Sequence, residues 1–383
     1  MELFAGIGGF RIACDRTDIN TIWANDLSES ACEVYRSRFG DGEIVQGDLS
    51  RLAHAIPRHD LLTAGFPCQP FSSAGKKLGI DDPRGTLFQF IVDILRSKKP
   101  RFFLLENVKR LLTMEQGRHF ATILSALSSL EYQIEWRLVN AMDLGLAQNR
   151  QRVFIAGTKI STTEESRLKI SLASESELLD APNFNPEIFY APSAWFELDE
   201  HHKRFPSWGV ARDGRFCSAD LGSIPDAKPV VRLGDVLQRE YEVGPEFDFT
   251  ESTRERLKES LTVNRYVGGV EILSNQGGGA RMGYTVFGVS GVAPTLTSSQ
   301  SRHYERYRVG QRYRRLTHIE YARLQGFPDN HCGVLSPYGQ YAFYGNAVPP
   351  PMAEWALRRL LYDAIEVGEC RRFVKQRDLF ASL

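Results

Sequence analysis

The sequence predicts an α/β protein, a doubly wound and mostly parallel sheet joined to a smaller, strand-rich unit. Three observations carry that expectation. Over the first 160 residues short apolar runs alternate with amphipathic stretches, the rhythm of repeated strand-helix units. Runs such as Phe102-Phe103-Leu104-Leu105 and Val153-Phe154-Ile155-Ala156 are apolar throughout, as suits strands covered by helices on both faces. Residues 265–300 are instead rich in Gly, Thr, Ser and Val, a composition for short twisted strands and loops. A chain of 383 residues exceeds one ordinary core and suits a large body with a smaller unit.

In chain order, the first run, Glu2–Ala13, leads from a strand through glycines into a helix. The apolar runs Thr21–Asp26, Glu43–Leu49, His59–Phe66 and Arg101–Val108 follow, interleaved with the stretches Leu87–Pro100 and His119–Tyr132. Arg152–Thr158 closes this part. Residues 161–228 are polar and acidic, with scattered Pro and aromatic residues and no clear period, and are expected to form an insertion on the back of the molecule. Val230–Leu237 marks a fresh start. Leu316–Gly326 resumes helical spacing, with Gly326 and then Pro328 as a stop signal. Pro350–Leu361 reads as a closing amphipathic helix. The expected division is a body of 1–160 completed by 340–383, the insertion 161–228, and a smaller unit with its hinge at 229–339.

Lys and Arg total 47, as do Asp and Glu, so the net charge is zero and a surface that grips nucleic acid all round is disfavoured. The charge is uneven, however. Six arginines stand between Arg302 and Arg315 against Glu305 alone, whereas nine acids stand between Glu164 and Glu200. The six cysteines are scattered without a CxxC pair, which speaks for a reducing intracellular setting and against a disulfide framework or a zinc knuckle. No metal is expected. No apolar run approaches the roughly 18 residues that span a bilayer, and no leader pattern opens the chain, so a soluble protein of the cytoplasm is expected, without a membrane partner.

Phe4-Ala5-Gly6-Ile7-Gly8-Gly9 puts glycines where a strand turns into a helix, so that the backbone can approach a ligand closely. Asp26 ends the second strand 20 residues past Gly6, a spacing suited to ribose hydroxyls. By itself this pattern is equally a tight turn followed by a helix-capping acid. Gly65-Phe66-Pro67-Cys68-Gln69-Pro70 places Cys68 in a turn at the carboxyl end of a strand, ahead of a Gly- and Lys-rich loop. Exposure and nearby positive charge favour a reactive thiolate, although a lone Cys is more often a small core residue. Glu106-Asn107 ends another strand at the same sheet edge. Arg150 and Arg152 alternate before the last strand and point the same way in an extended chain. A solvated acid and a basic turn are the plain readings of those two.

Taken together, FAGIGGF, GFPCQPFS, ENV, QNRQRVF, RRLTHIEYARLQGFPD and YGNAVPP, in this order, closely resemble the DNA cytosine-5 methyltransferases. The resemblance covers about 1–157 and 310–362. It implies a Rossmann-like domain for S-adenosylmethionine, a small target-recognition domain, and a cleft for double-stranded DNA between them. Phe4, Gly6 and Gly8 would meet the methionine part of the cofactor, Asp26 its ribose and Asp48 its adenine. Leu27, Leu49, Pro67 and Leu87 belong to the same pocket, and Asn346 and Val348 return from the far end of the chain to complete it. Cys68 would add to carbon 6 of cytosine, Glu106 would hold ring nitrogen 3 and the exocyclic amine, and Arg152 the carbonyl oxygen, with Arg150 bracing the loop or a phosphate. The target base would be flipped out of the duplex. Residues 72–84, with Ser72, Lys76 and Arg84 at phosphates, are the expected lid. Gln276, Arg281, Arg302 and Arg306 are the candidates for base edges, with phosphate contact as the plainer role.

The resemblance also implies S-adenosylhomocysteine as product, a monomeric enzyme beside nucleoid DNA, and a restriction endonuclease acting on the same site without direct binding. The first strand is shorter than the family usually has, and 161–228 has no family counterpart. Three rivals stand beside this reading. Cytosine-5 methylation of RNA is disfavoured by the long segment 230–310. A nicotinamide-dependent oxidoreductase would leave Cys68, Glu106 and Arg152 without a joint purpose. A DNA-binding protein with a dead site would not need Cys68 and Glu106 intact.

Overall fold

The computed structural model describes residues 1–67, 87–160, 168–275, 284–297 and 305–367. A sheet of ten strands forms its centre. Five of them run parallel in the spatial order β3 (Ile44–Gln46), β2 (Ala24–Asp26), β1 (Glu2–Leu3), β4 (Leu61–Gly65) and β5 (Phe102–Val108). The sheet continues through β7 (Gln151–Lys159), which is antiparallel to both β5 and β6 (Tyr132–Asn140). The parallel half follows from the sequence. Along β5, Phe103 and Leu105 enter the core of one sheet face and Leu104 that of the other, the period of two that sends alternate side chains to opposite faces.

Helices cover both faces. On the first lie α4 (Leu87–Lys98), with Phe88, Ile91, Val92, Ile94 and Leu95 buried, and α5 (Arg118–Ser128), with Phe120, Ile123, Leu124 and Leu127 buried. Each such side chain stabilises the fold by about 1.5–3 kcal/mol relative to exposure. On the second face α1 (Gly9–Asp15) packs against α12 (Pro350–Leu361), the closing helix at the bounds its pattern predicts. Phe10, Ala13 and Cys14 meet Met352, Ala353, Ala356 and Leu357 there. The far end of the chain therefore does pack on its beginning, although 368–383 lie outside the described residues. The helices α2 (Glu29–Phe39) and α3 (Leu49–Leu52) complete the parallel half.

Two parts of the body differ from expectation. The strand β6 was not among the apolar runs, because Glu135 and Arg137 interrupt it, yet both are buried. Glu135 accepts from the backbone of Ser171 and Leu172 (2.7 and 2.9 Å) and from Trp208 Nε1 (2.8 Å), and Arg137 pairs with Glu177 at 2.7 Å. Those partners belong to the acidic segment, whose described part has order of its own. It contains β8 (Leu168–Ile170), α6 (Glu175–Asp180), α7 (Pro186–Phe189), β9 (Phe196–Glu197), β10 (Trp208–Arg212) and β11 (Arg215–Ala219). The strands β10, β11 and β9 extend the main sheet beyond β6, so this segment is the sheet's continuation.

Beyond it come α8 (Leu233–Val236), α9 (Glu251–Lys258) and a second sheet of five strands in chain order: β12 (Leu261–Val267), β13 (Val270–Asn275), β14 (Thr285–Phe287), β15 (Arg306–Val309) and β16 (Arg312–Arg314). The α10 helix (His318–Gln325) has a Thr317–Glu320 capping box, and Gly326, at φ +77°, ends it as predicted. The α11 helix (Pro337–Asn346) then leads to α12, and β17 (Ile365–Val367) pairs with β8. Among the described residues no helix is long and apolar enough to cross a membrane.

Candidate active site

Register places the central pair. Gly65 lies opposite Glu106, and Glu106 opposite Phe154, so Arg152, two residues before Phe154 on β7, is the diagonal neighbour of Glu106 on the same face. Arg152 Nε contacts Glu106 Oε1 at 2.8 Å, and both side chains are about nine-tenths buried. Burial pushes the Glu106 carboxyl above the ordinary carboxylate range, against the pull of Arg152 and Arg150. A carboxyl so placed is held ready to carry a proton. Asn107, unassigned by sequence reasoning, donates from Nδ2 to the Phe66 carbonyl at 2.9 Å, and so ties β5 to the segment that leads into Cys68. Cys68 itself lies outside the described residues, as do Ser72, Lys76, Arg84, Gln276, Arg281 and Arg302.

Arg150 sits next to this pair and is fully buried. Its guanidinium donates to the carbonyls of Leu296 (3.3 Å), Gly345 (3.0 Å) and Ala347 (3.0 Å). Those main-chain partners, among the described residues, are where its donors are directed. Gln148 works alongside, accepting from Leu296 N–H at 3.0 Å and donating to Leu324 O at 3.1 Å. Gln325 in turn donates to the Tyr344 carbonyl. The loop before β7 thus joins the main sheet, the 293–296 segment beside the small sheet, α10 and the end of α11. Sequence reasoning found the motif but not this joining role, because only the fold shows which distant carbonyls it meets.

At the same sheet edge, Phe4, Gly6 and Gly8 all adopt positive φ (52°, 54° and 82°), so the chain between β1 and α1 makes a tight cradle. A Cβ on Gly6 would point into open space. Gly8 answers a different demand, since a Cβ there would stand 2.4 Å from the ring of Phe39. Asp26 accepts from Gly6 N–H and Ser28 N–H, both at 2.8 Å, which aims its carboxylate over the cradle. Leu27 beside it is 70% exposed, an apolar side chain open to a ligand. Asp48 is exposed, and its bond from Ser50 N–H (2.9 Å) holds its carboxyl below the usual range. Leu49 faces inward and belongs to the core, while Pro67 is exposed and Leu87 opens α4 half-buried.

Val348 closes the cradle from the far end of the chain. A Cβ on Gly9 would meet the Val348 carbonyl oxygen at 2.1 Å, and one on Gly65 would meet Val348 Cγ2 at 3.0 Å and Glu106 Oε2 at 3.6 Å. At both positions the absence of a Cβ leaves room for Val348. Asn346, the last residue of α11, is exposed beside it. His331, which no motif pointed to, is buried with Nε2 donating to the Ile7 carbonyl at 2.7 Å, and burial lowers its pKa to about 4. It fixes the cradle from outside.

A cleft of about 420 Å³ opens between Arg152, Asn149 and Gln151 on one side and Val270, Pro294 and Thr295 on the other. Lys109 and Arg110, directly after the Glu106-Asn107-Val108 run, are exposed along its wall. Sequence reasoning passed over both. Arg306, expected at base edges, lies on β15 with its guanidinium 6.0 Å over the Phe249 ring, within the small unit.

A family model, the C-5 cytosine-specific DNA methylases, matches residues 1–361. The Type II methyltransferase M1.ScrFI of Lactococcus lactis subsp. cremoris is 32% identical over 94% of this chain and 77% of its own length. The Type II methyltransferase M.Sau3AI of Staphylococcus aureus is 30% identical over 92% of both chains. Among solved structures, the Dnmt2 methyltransferase of S. pombe superposes with a TM-score of 0.60 at 16% identity, covering 94% of this chain and 98% of its own. A putative DNA modification methyltransferase encoded within an E. coli prophage does so with a TM-score of 0.53 at 21% identity, covering 94% of this chain and 97% of its own.

Proposed function

The chain belongs to the C-5 cytosine-specific DNA methylase family, and from that premise we propose that it methylates one cytosine within a specific duplex sequence through a covalent Cys68 adduct. It is a DNA cytosine-5 methyltransferase of the Type II restriction-modification kind. The observation that carries the finer reading is the buried Glu106–Arg152 pair, one register step from Gly65. Only Phe66 and Pro67 separate Gly65 from Cys68 along the chain, so three Cα–Cα steps keep the two residues within about 11 Å of each other.

Carbon 5 of cytosine is a poor nucleophile because its electrons belong to the aromatic ring. Addition of the Cys68 thiolate to carbon 6 breaks that aromaticity and leaves an enamine whose carbon 5 attacks an electrophile. Glu106, protonated, donates to ring nitrogen 3 and accepts from the exocyclic amine, steadying the charge that enters the ring. Arg152 holds carbonyl oxygen 2 and keeps Glu106 in place. Loss of the carbon 5 proton then returns the electron pair that expels Cys68. Attack on either carbon requires the base to leave the stack, at a cost of a few kcal/mol.

S-adenosylmethionine, when bound, supplies the electrophilic methyl group. The residues present fit it: the Gly6 cradle receives the methionine part, Asp26 the ribose hydroxyls, Leu27 and Asp48 the adenine, with Val348 as the floor and Phe4 and Asn346 at the rim. The 420 Å³ cleft is the proposed entry for the flipped base, with Lys109 and Arg110 at backbone phosphates. The enzyme acts as a monomer beside DNA in the cytoplasm, and a restriction endonuclease that cuts the same unmodified sequence is its counterpart, without direct contact.

The test is to incubate the protein with random-sequence duplex DNA and S-adenosylmethionine and map methylated cytosines by bisulfite sequencing, with transfer RNA in a parallel reaction. Methylation of one cytosine in one recurring duplex sequence, lost in Cys68→Ser although DNA still binds, is the expected result. Methylation of the RNA alone, or of duplex by Cys68→Ser, would overturn it.

A further inference from the structure

The edge of the main sheet opposite the active site holds a second charged cleft, of about 690 Å³. Three separate stretches converge on it. Arg58 and Asp60 come from the approach to β4, Lys98, Lys99 and Arg101 from the junction of α4 and β5, and Lys159 from the end of β7. Lys159 is engaged by Glu131 at 2.7 Å and by the Leu130 carbonyl at 2.8 Å. Arg58, Lys98, Lys99 and Arg101 enter no ion pair among the described residues, and Asp60 is the one acid in the lining. Lysines after a helix C-terminus ordinarily do no more than answer its dipole. Two features exceed that role. Lys99 stands at φ +48°, a left-handed position that ordinarily falls to glycine, so the lysine occupies it at a cost in backbone strain. Arg58 and Arg101 come from outside the helix and add two planar forks suited to oxyanions.

We propose that this cleft is a second anion site, built to bind clustered phosphate oxyanions away from the target base. Glu106 lies five residue steps beyond Arg101, which directly precedes β5, about 17 Å along the strand direction, and the two ends of the strand face opposite ways. DNA held against Glu106 does not reach the rear cleft without wrapping. The phosphates therefore come from the backbone of a second DNA segment or from a free polyphosphate. A second segment would keep the enzyme near DNA between encounters with its target, through a raised effective concentration.

The experiment compares the full chain with the triple variant Lys98→Gln, Lys99→Gly, Arg101→Gln. Lys99→Gly relieves the strained backbone, and a thermal melt verifies that the variant stays folded. Inorganic tripolyphosphate binding is measured by calorimetry, and binding of a short cytosine-free dA·dT duplex by anisotropy across salt concentrations. The proposal expects tripolyphosphate affinity to fall about ten-fold or more in the variant, while methyl transfer to target DNA keeps its kcat. If the salt slope on the duplex also falls by about 2, the source is a second DNA backbone. If the slope holds while tripolyphosphate binding is lost, the source is free polyphosphate. Unchanged tripolyphosphate affinity in the folded variant would overturn the site, as would poly-glutamate that binds as tightly as tripolyphosphate.

Discussion

At the scale of single residues, the proposed chemistry depends on a carboxyl whose pKa burial raises, against the pull of Arg152 and Arg150, and on the arginine that keeps it in place. Glu106→Gln retains the shape, an acceptor for Arg152 and an N–H donor for ring nitrogen 3, but it has no acidic proton to give to the ring. Methyl transfer should fall about 10²–10³-fold, measured as single-turnover rate, with the fold intact by thermal melt. The raised pKa sets a direction as well: the protonated form is the working one, so the Glu106-dependent part of the rate should decline as pH rises through that group's pKa. His331 gives a stability prediction of opposite sign. Its pKa falls from 6.5 in the unfolded chain to about 4 in the fold, so its contribution is complete above 6.5 and is lost as pH falls towards 4. Over that window the wild type should lose stability at about 1.4 kcal/mol per pH unit relative to His331→Asn, measured by denaturant unfolding. The Glu106–Arg152 neighbourhood and the place of Asp26 beside the glycine turn were legible in the sequence because each belongs to a short motif, whereas Cys68 lies outside the described residues. His331 and Asn107 were not legible, because their partners are main-chain carbonyls, which no side-chain pattern encodes.

At the scale of elements, the cradle depends on two glycines that admit Val348, and their obstacles differ in kind. Gly65→Ala meets a side-chain methyl, so it should cost about 1–3 kcal/mol and weaken S-adenosylmethionine binding, and Val348→Ala should restore both. Gly9→Ala meets the carbonyl oxygen of Val348, so Val348→Ala should not rescue it. Calorimetric titration of the four variants checks the contrast. The parallel strands, α10 and α12 were legible from apolar runs, period and caps. The order in 168–219 was not, yet one signal was there: Asp213 and Gly214, at φ 52° and 76°, form the two-residue turn of the β10–β11 hairpin, with Arg212 paired to Arg215. Around it the strands are short and their buried partners include charged residues such as Glu135 and Arg137, so acidity concealed a sheet. Similarly, Gly268-Gly269 turns β12 into β13 at the cleft, where Asn149 Nδ2 donates to the Gly268 carbonyl at 2.8 Å.

At the scale of the whole molecule, the loop from Gln148 to Arg152 is where the parts meet, and Arg150 is its centre. Arg150→Gln strands three carbonyls, so it should cost about 3 kcal/mol or more by chemical denaturation. Because Arg150 touches no solvent, the salt slope of non-specific DNA binding should stay unchanged; a fall of about 0.9 would mean a phosphate contact instead. The architecture, an α/β body with a smaller strand-rich unit, was legible from the change of rhythm along the chain. The joining of distant segments through main-chain carbonyls was not, since it arises only when the two sheets are brought together. The central claim, a covalent bond between Cys68 and the target ring, has a direct measurement. A duplex carrying 5-fluorocytosine at the methylated position lacks the carbon 5 proton whose loss frees the enzyme. Incubated with that duplex and S-adenosylmethionine, the protein should gain the mass of the methylated strand, with the adduct mapping to the peptide that contains Cys68. Efficient methylation of the normal duplex with no trapped adduct on the fluorinated one, or an adduct on another residue, would contradict the account.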